Sequence, residues 1–245
     1  IYPSNHITFQ YQTQNLDVSL MQLAQNNPAE LFRRGLANAE NIEDMSGYLI
    51  RRECLGGNLT KEQEIAIKYL ARPYAVQFSW LKNPGPAQRV LYVEGENNGN
   101  LLALPVLIGF LTGPVAKDPY GADAGKNSRR PITQFGFNIS LARLLKPYET
   151  GELTVGGPFE DRFLGSAIVA GQQTLALERV RTGGNPVDDE NSAVGWQVFL
   201  DVERLFPIGI IEYNRHQELL GYYVFKDMQY NTGLTVDDLK NAFRK

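Results

Sequence analysis

Cysteine is almost missing from this chain of 245 residues: Cys54 stands alone, so neither an internal disulfide nor a cysteine-rich metal site can form. Histidine is nearly as scarce, since His6 and His216 are the only two, and a histidine-based triad or zinc site has almost no material. No HExxH pattern occurs, and Ser166 in LGSAIVAG lacks the second glycine that a nucleophile elbow needs. The nearest phosphate-loop pattern, GADAGKNS, is one residue short between its glycines and has Asn127 where a magnesium-binding Ser or Thr belongs. Positive charge is not in excess either. With 24 basic and 27 acidic residues the net charge is −3, which argues against a nucleic-acid partner. Long hydrophobic runs are absent, for the longest, Leu101 to Leu111, falls short of the roughly 18 to 20 residues that cross a bilayer. The chain begins at Ile1 instead of Met, so an upstream segment, a signal peptide or lipidated leader among the alternatives, is expected to have been removed.

What is present reads as globular: 43% hydrophobic and 21% charged residues suffice for a sizeable core, and a single domain spanning 1–245 is expected. Helical spacing in LDVSLMQLAQ, and Pro28 opening PAELFRRGLANAENIEDM, predict two helices within residues 17–45. The period then switches to two. A strand meander is expected over 47–111, with a turn at Gly56, Gly57 and Asn58 between its first two strands. Residues 112–148 read as an irregular loop followed by a helix, 172–227 as a second strand set, and 235–244 as a terminal helix capped by Thr235. The class is α+β: a highly curved antiparallel sheet with helices packed on one face.

Candidate chemistry is sparse. Cys54 beside Glu53 reads as a packed, protonated thiol, and the acidic loop Asp188, Asp189, Glu190 lacks the spacing of a calcium loop, so no metal and no cofactor is expected. The loop KDPYGADAGKNSRRPI gathers Asp118, Tyr120, Asp123, Lys126, Arg129 and Arg130. Its two arginines either recognise an anionic head group or pair with Asp118 or Asp123 to pin the loop.

The strands themselves carry more information. Alternation places Tyr74, Val76, Phe78 and Trp80 on one buried face, with Ala75, Gln77 and Ser79 on the other. Trp196, Val198, Leu200 and Val202 share a face, as do Phe206, Ile208 and Ile210, whereas Leu220, Tyr222 and Val224 oppose the equally apolar Tyr223 and Phe225. Such faces either fill a core or wall a cavity for an apolar guest, and alternation by itself leaves both open.

The motifs YLIRRECLGGNL, RPYAVQFSWL, RVLYVEGENNGNLLA, DPYG and RRPITQFGF, spread over about Glu30 to Leu145, resemble a bacterial family catalogued as a domain of unknown function. Together with the ending FPIGIIEYNRHQELLGYYVFKDMQYNTGLTVDDL, they are similar to the LolA-like periplasmic lipoprotein carriers. That resemblance implies a half-open antiparallel barrel with helices on its concave face as a lid, enclosing an apolar cavity for acyl chains. The expected function is then a non-enzymatic envelope protein, periplasmic or otherwise exported from a bacterium, that binds a lipid or acylated protein. A membrane-associated donor or acceptor would serve it. Tyr74, Val76, Phe78, Trp80, Trp196, Phe206, Ile208 and Tyr222 are the cavity candidates, and Arg129 and Arg130 the head-group or loop candidates. The alternative is a protein-interaction or lipid-sensing regulatory module with a filled core. A hydrolase built on Asp118 or Asp123 with Tyr120 has no nameable base with an orienting partner.

Overall fold

The structure, a computed structural model, describes residues 10–12, 17–106, 113–152, 158–183 and 193–244. His6 and the acidic trio Asp188, Asp189 and Glu190 lie outside the described residues. In chain order the elements are β1 (Gln10–Gln12), α1 (Val18–Asn26), α2 (Pro28–Glu40), β2 (Asp44–Leu55), β3 (Asn58–Leu59), β4 (Gln63–Leu70), β5 (Ala75–Lys82), β6 (Ala87–Val93), β7 (Leu101–Pro105) and β8 (Val115–Lys117). They continue with α3 (Ala122–Gly125), α4 (Phe137–Glu149), β9 (Phe159–Val169), β10 (Gln172–Arg181), β11 (Gly195–Asp201), β12 (Pro207–Tyr213), β13 (Leu219–Tyr230) and α5 (Val236–Arg244). The class is α+β with antiparallel strand pairing. None of the helices among the described residues is long and apolar enough to cross a membrane.

Contacts divide the chain into two compact units, 1–41 with 137–224, and 42–136 with 225–245. In the first unit the strand order is β1-β9-β10-β11-β12-β13. Its helices start as the sequence dictates. The Asp17 carboxylate accepts the Ser19 N–H, and the Asn27 side chain accepts that of Glu30 with Pro28 at the first helical position. Helices α2 and α4 pack together, burying Leu31, Phe32, Leu141 and Leu145, and Phe137 stacks on Phe206 at 5.0 Å. Gly35 permits a close approach, since a Cβ there would lie 2.6 Å from the carbonyl oxygen of Leu205. A buried ion pair crosses β9 and β10: Arg179 grips both oxygens of Asp161 at 2.7 Å, and the Tyr148 hydroxyl donates to the same carboxylate at 2.6 Å.

In the second unit the order runs from the end of β13 through β2, β4, β5, β6 and β7 to β8. Gly56 and Gly57, at φ +57° and +81°, make the expected turn after β2, where left-handed backbone favours glycine. One sheet face carries Leu70, Ala75, Leu91 and Val93, which α5 covers with Leu239 and Phe243. Thr235 caps α5 as expected, accepting the Asp238 N–H and donating to its carboxylate. The opposite face is ordered in cross-strand rows that the register fixes: Met45, Tyr69, Val76 and Tyr92 in one, and Phe78, Val90, Ala103 and Val115 in the next.

Three expectations need correction. The helix read to residue 45 stops at Glu40, because Asp44 starts β2 and its carboxylate accepts N–H groups from Thr232, Gly233 and Leu234. The second strand set starts earlier than 172, with β9, whose alternate charges Glu160 and Arg162 are the exposed side of a strand edge rather than a loop signal. The face of β5 opposite Phe78 is not a polar exterior either: Ala75 and Gln77 are buried on the α5 side, where Gln77 Nε2 donates to Ser79 Oγ at 2.7 Å.

Candidate functional site

A cavity of about 640 Å³ lies in the second unit. One wall is the row Phe78, Val90, Ala103 and Val115, so four neighbouring strands each contribute one side chain at the same level. Trp80 and Leu101 extend this wall along the strands, and Gly85, Pro86 and Ala87 border it at the β5–β6 turn. The other wall is the irregular segment after β8, from Pro119 through α3 to Ile132.

That segment is fastened to the sheet at two places. At one, the Tyr74 hydroxyl sits 2.7 Å from the carbonyl oxygen of Ile132 and 2.9 Å from that of Phe135, and accepts the Phe135 N–H at 3.1 Å. Burial pushes the Tyr74 phenol far above its ordinary pKa, so it remains a neutral donor and acceptor at any working pH. The Phe135 ring then packs edge-on against Phe78 at 5.0 Å and at a tilt against Tyr69 and Phe225. At the other, Arg51 Nη1 donates to Ser128 Oγ at 3.1 Å, and the Arg129 N–H to Glu53 Oε1 at 3.3 Å.

Arg51 is the centre of the cavity's polar end. It pairs with Glu53 at 3.3 Å, donates through Nε to Gln63 Oε1 at 2.8 Å, and lies 5.8 Å from the centre of the Trp80 ring. All of these groups are buried or half-buried, and burying an arginine without such partners would be costly. Trp80 is less well provided: its indole N–H is buried with no acceptor among the described residues. Around the lining stand four cationic side chains, Arg51, Lys117, Lys126 and Arg130, against the single carboxylate of Asp123. Lys117 bonds Asp123 at 2.8 Å, and that hydrogen bond, reinforced by its charge, holds the Asp123 carboxyl below its usual value.

Among the residues singled out in the sequence, Phe78, Trp80, Asp123, Lys126 and Arg130 line this cavity. Tyr74 anchors its outer wall, Val76 is fully buried one row deeper, and Arg129 touches Glu53 through its backbone. Trp196, Phe206, Ile208 and Tyr222 belong to the first unit, where Phe206 stacks on Phe137, Trp196 tilts against Phe159, and Ile208 and Tyr222 are buried. Arg51, Gln63 and Ser128 are site residues that the sequence reading does not single out. The adjacent pair Arg51 and Arg52 carries the signal, because neighbouring residues in a strand face opposite ways and one of two arginines must point inward.

The remaining candidates are occupied locally. Asp118 accepts the Tyr120 N–H at 2.9 Å, Tyr120 is 69% exposed, and Thr133 donates to its hydroxyl, so these groups do not converge with Asp123 on a common point. Cys54 is a half-buried free thiol on β2, Ser166 is buried on β9, and His216 in an exposed turn accepts a hydrogen bond from Arg215 at 3.1 Å. Among the described residues no three His, Cys, Asp or Glu side chains are grouped to hold a metal ion.

An antiparallel sheet of this order, with helices packed on it, is similar in fold to MucB. The crystal structure of MucB is 18% identical with a TM-score of 0.51, over 86% of this chain and 62% of that one, so the chain spans less than two thirds of MucB. A putative outer membrane lipoprotein-sorting protein domain from Vibrio parahaemolyticus is 14% identical, TM-score 0.42, over 89% and 98% of the two chains. The LolA superfamily protein NE2245 from Nitrosomonas europaea is 11% identical, TM-score 0.31, over 88% and 96%. Residues 42–243 match the family described as protein of unknown function (DUF1571), and the chain belongs to that family. A search of curated protein sequences gives no match.

Proposed function

We propose that this protein is a non-enzymatic protein of the bacterial cell envelope that holds a lipid, or the acyl chain of a lipid-modified partner, in the cavity of its second unit. The observation that carries this reading is the cavity itself: about 640 Å³ behind a wall of Phe78, Val90, Ala103 and Val115, where a close-packed core has few voids larger than a water molecule. Its size falls within the range of small-molecule sites, which are mainly apolar with a few placed polar groups. Each acyl methylene buried there would contribute about 0.8 kcal/mol, enough for a chain to be held without any bond-making chemistry. In this reading the strands of the second unit form the cavity floor, and the segment from Pro119 to Ile132 serves as its lid. A periplasmic carrier of this design takes its cargo from one membrane-associated partner and yields it to another.

Native mass spectrometry of the protein purified without detergent, with solvent extraction of the same sample, tests the proposal. A copurified lipid at one per chain is the expected result. Protein that carries no lipid and takes up no acyl probe would defeat it and leave a protein-interaction module.

A further inference from the structure

The lining of the cavity narrows the ligand further, on the condition that the lipid reading above holds. We infer that the site takes a single-chain amphiphile with an anionic head, its chain along Phe78, Val90 and Ala103 and its head between Arg51 and Lys126.

Volume suits a single chain: about 640 Å³ lies in the range of sites that hold one small molecule.

Charge selects the head. Four cationic side chains stand in the lining against one carboxylate, in a chain whose net charge is −3, and the lining stays positive when the nearby Glu53 is counted as well. Arg51, Gln63 and Ser128 stand at the β2 and β4 side, Val90, Ala103 and Val115 line the β6 to β8 wall, and the cation of Lys117 at the end of β8 is paired with Asp123. Trp80 lies between them with a buried indole N–H that has no acceptor among the described residues. A carboxylate or phosphate oxygen can pair with Arg51 and Lys126, and a cationic head cannot.

The test uses delipidated protein and four sixteen-carbon probes below their micelle concentrations: hexadecanoate, hexadecyl phosphate, hexadecanol and hexadecyltrimethylammonium. Titration calorimetry is expected to give one site that binds at least one of the two anions about tenfold or more tighter than the alcohol, and the cation weakest. The stronger anion tells a fatty-acid head from a phosphate head. Lys126→Glu, at an exposed position, is expected to weaken the anions about tenfold and leave the alcohol unchanged. Equal binding of alcohol and anions, tightest binding of the cation, or preferential uptake from vesicles of dihexadecanoyl phosphatidylglycerol would each overturn the inference while leaving the lipid reading intact. Failure of every probe and of the vesicles would overturn both.

Discussion

Tyr74 holds Phe135 by its backbone: the phenol accepts the Phe135 N–H at 3.1 Å and stands within hydrogen-bond distance of the Ile132 and Phe135 carbonyl oxygens. One side chain on the strand side thus satisfies main-chain groups of the segment that walls the cavity. Tyr74→Phe removes the hydroxyl and keeps the ring, leaving half-buried backbone groups without their partner. The expected loss is about 1 to 3 kcal/mol of unfolding free energy, read by urea denaturation, with faster amide exchange at Phe135. Unchanged exchange there would show that the hydroxyl does not fasten the segment.

Asp44 supports the turn after β13 in a comparable way. Its two oxygens accept from the Thr232 N–H and hydroxyl, the Gly233 N–H and the Leu234 N–H. Burial pushes its pKa up, but these hydrogen bonds outweigh burial and leave it below the usual 3.8. A depressed folded pKa means that the stabilisation is complete above the unfolded value and is lost as pH falls through the folded one. Asp44→Asn is therefore expected to lower stability at neutral pH and to flatten its decline between about pH 5 and pH 2. Denaturation curves of both proteins over that range check the sign.

The Arg179–Asp161 pair is buried on both sides, at 7% and 4% side-chain exposure, with Arg179 also 5.8 Å from the Phe32 ring centre and 5.6 Å from that of Tyr148. Asp161→Ala leaves a buried guanidinium without its carboxylate and is expected to cost about 3 to 5 kcal/mol. Tyr148→Phe removes one neutral donor to the same carboxylate and is expected to cost about 1 kcal/mol. The ratio of the two losses, measured by denaturant titration, distinguishes an ion pair that holds β9 to β10 from one that is incidental to folding.

Filling the cavity separates binding from stability. Ala103→Trp projects into open volume, so the protein is expected to keep its melting temperature within a few degrees while losing uptake of a fluorescent fatty-acid probe. Ile208→Trp acts in the opposite sense. Ile208 is 1% exposed, and overpacking it is expected to cost about 1 to 3 kcal/mol with probe uptake retained. Loss of uptake in Ile208→Trp alone would place the ligand in the first unit.

Local signals in the sequence reach far. Thr235, Pro28 and the Gly56–Gly57 turn act within a few residues of themselves, and each is found where capping and turn chemistry put it. Asp44 reads as helix in the sequence because its partners are 188 to 190 residues away, and the surrounding ENIEDM carries helix-forming residues that outvote a single carboxylate. Gln77 reads as exterior for the same reason: the helix that covers it ends the chain. The cavity is legible only in part. Phe78 and Phe206 have the same chemistry and the same alternation, yet one faces open volume and the other stacks on Phe137. Whether an apolar face meets a void or a neighbour depends on what is packed opposite, and that information is held by other segments.

The alternation of β5 therefore divides the work of a single strand. Its odd positions, Ala75 and Gln77, lie on the side of the terminal helix, while its even positions Phe78 and Trp80 face the cavity. The two sets touch different surroundings and are free to vary under separate constraints. Changes confined to Phe78 and Trp80 would therefore reshape the cavity wall while Val76, on the same face but fully buried, and the odd positions keep the packing of the strand.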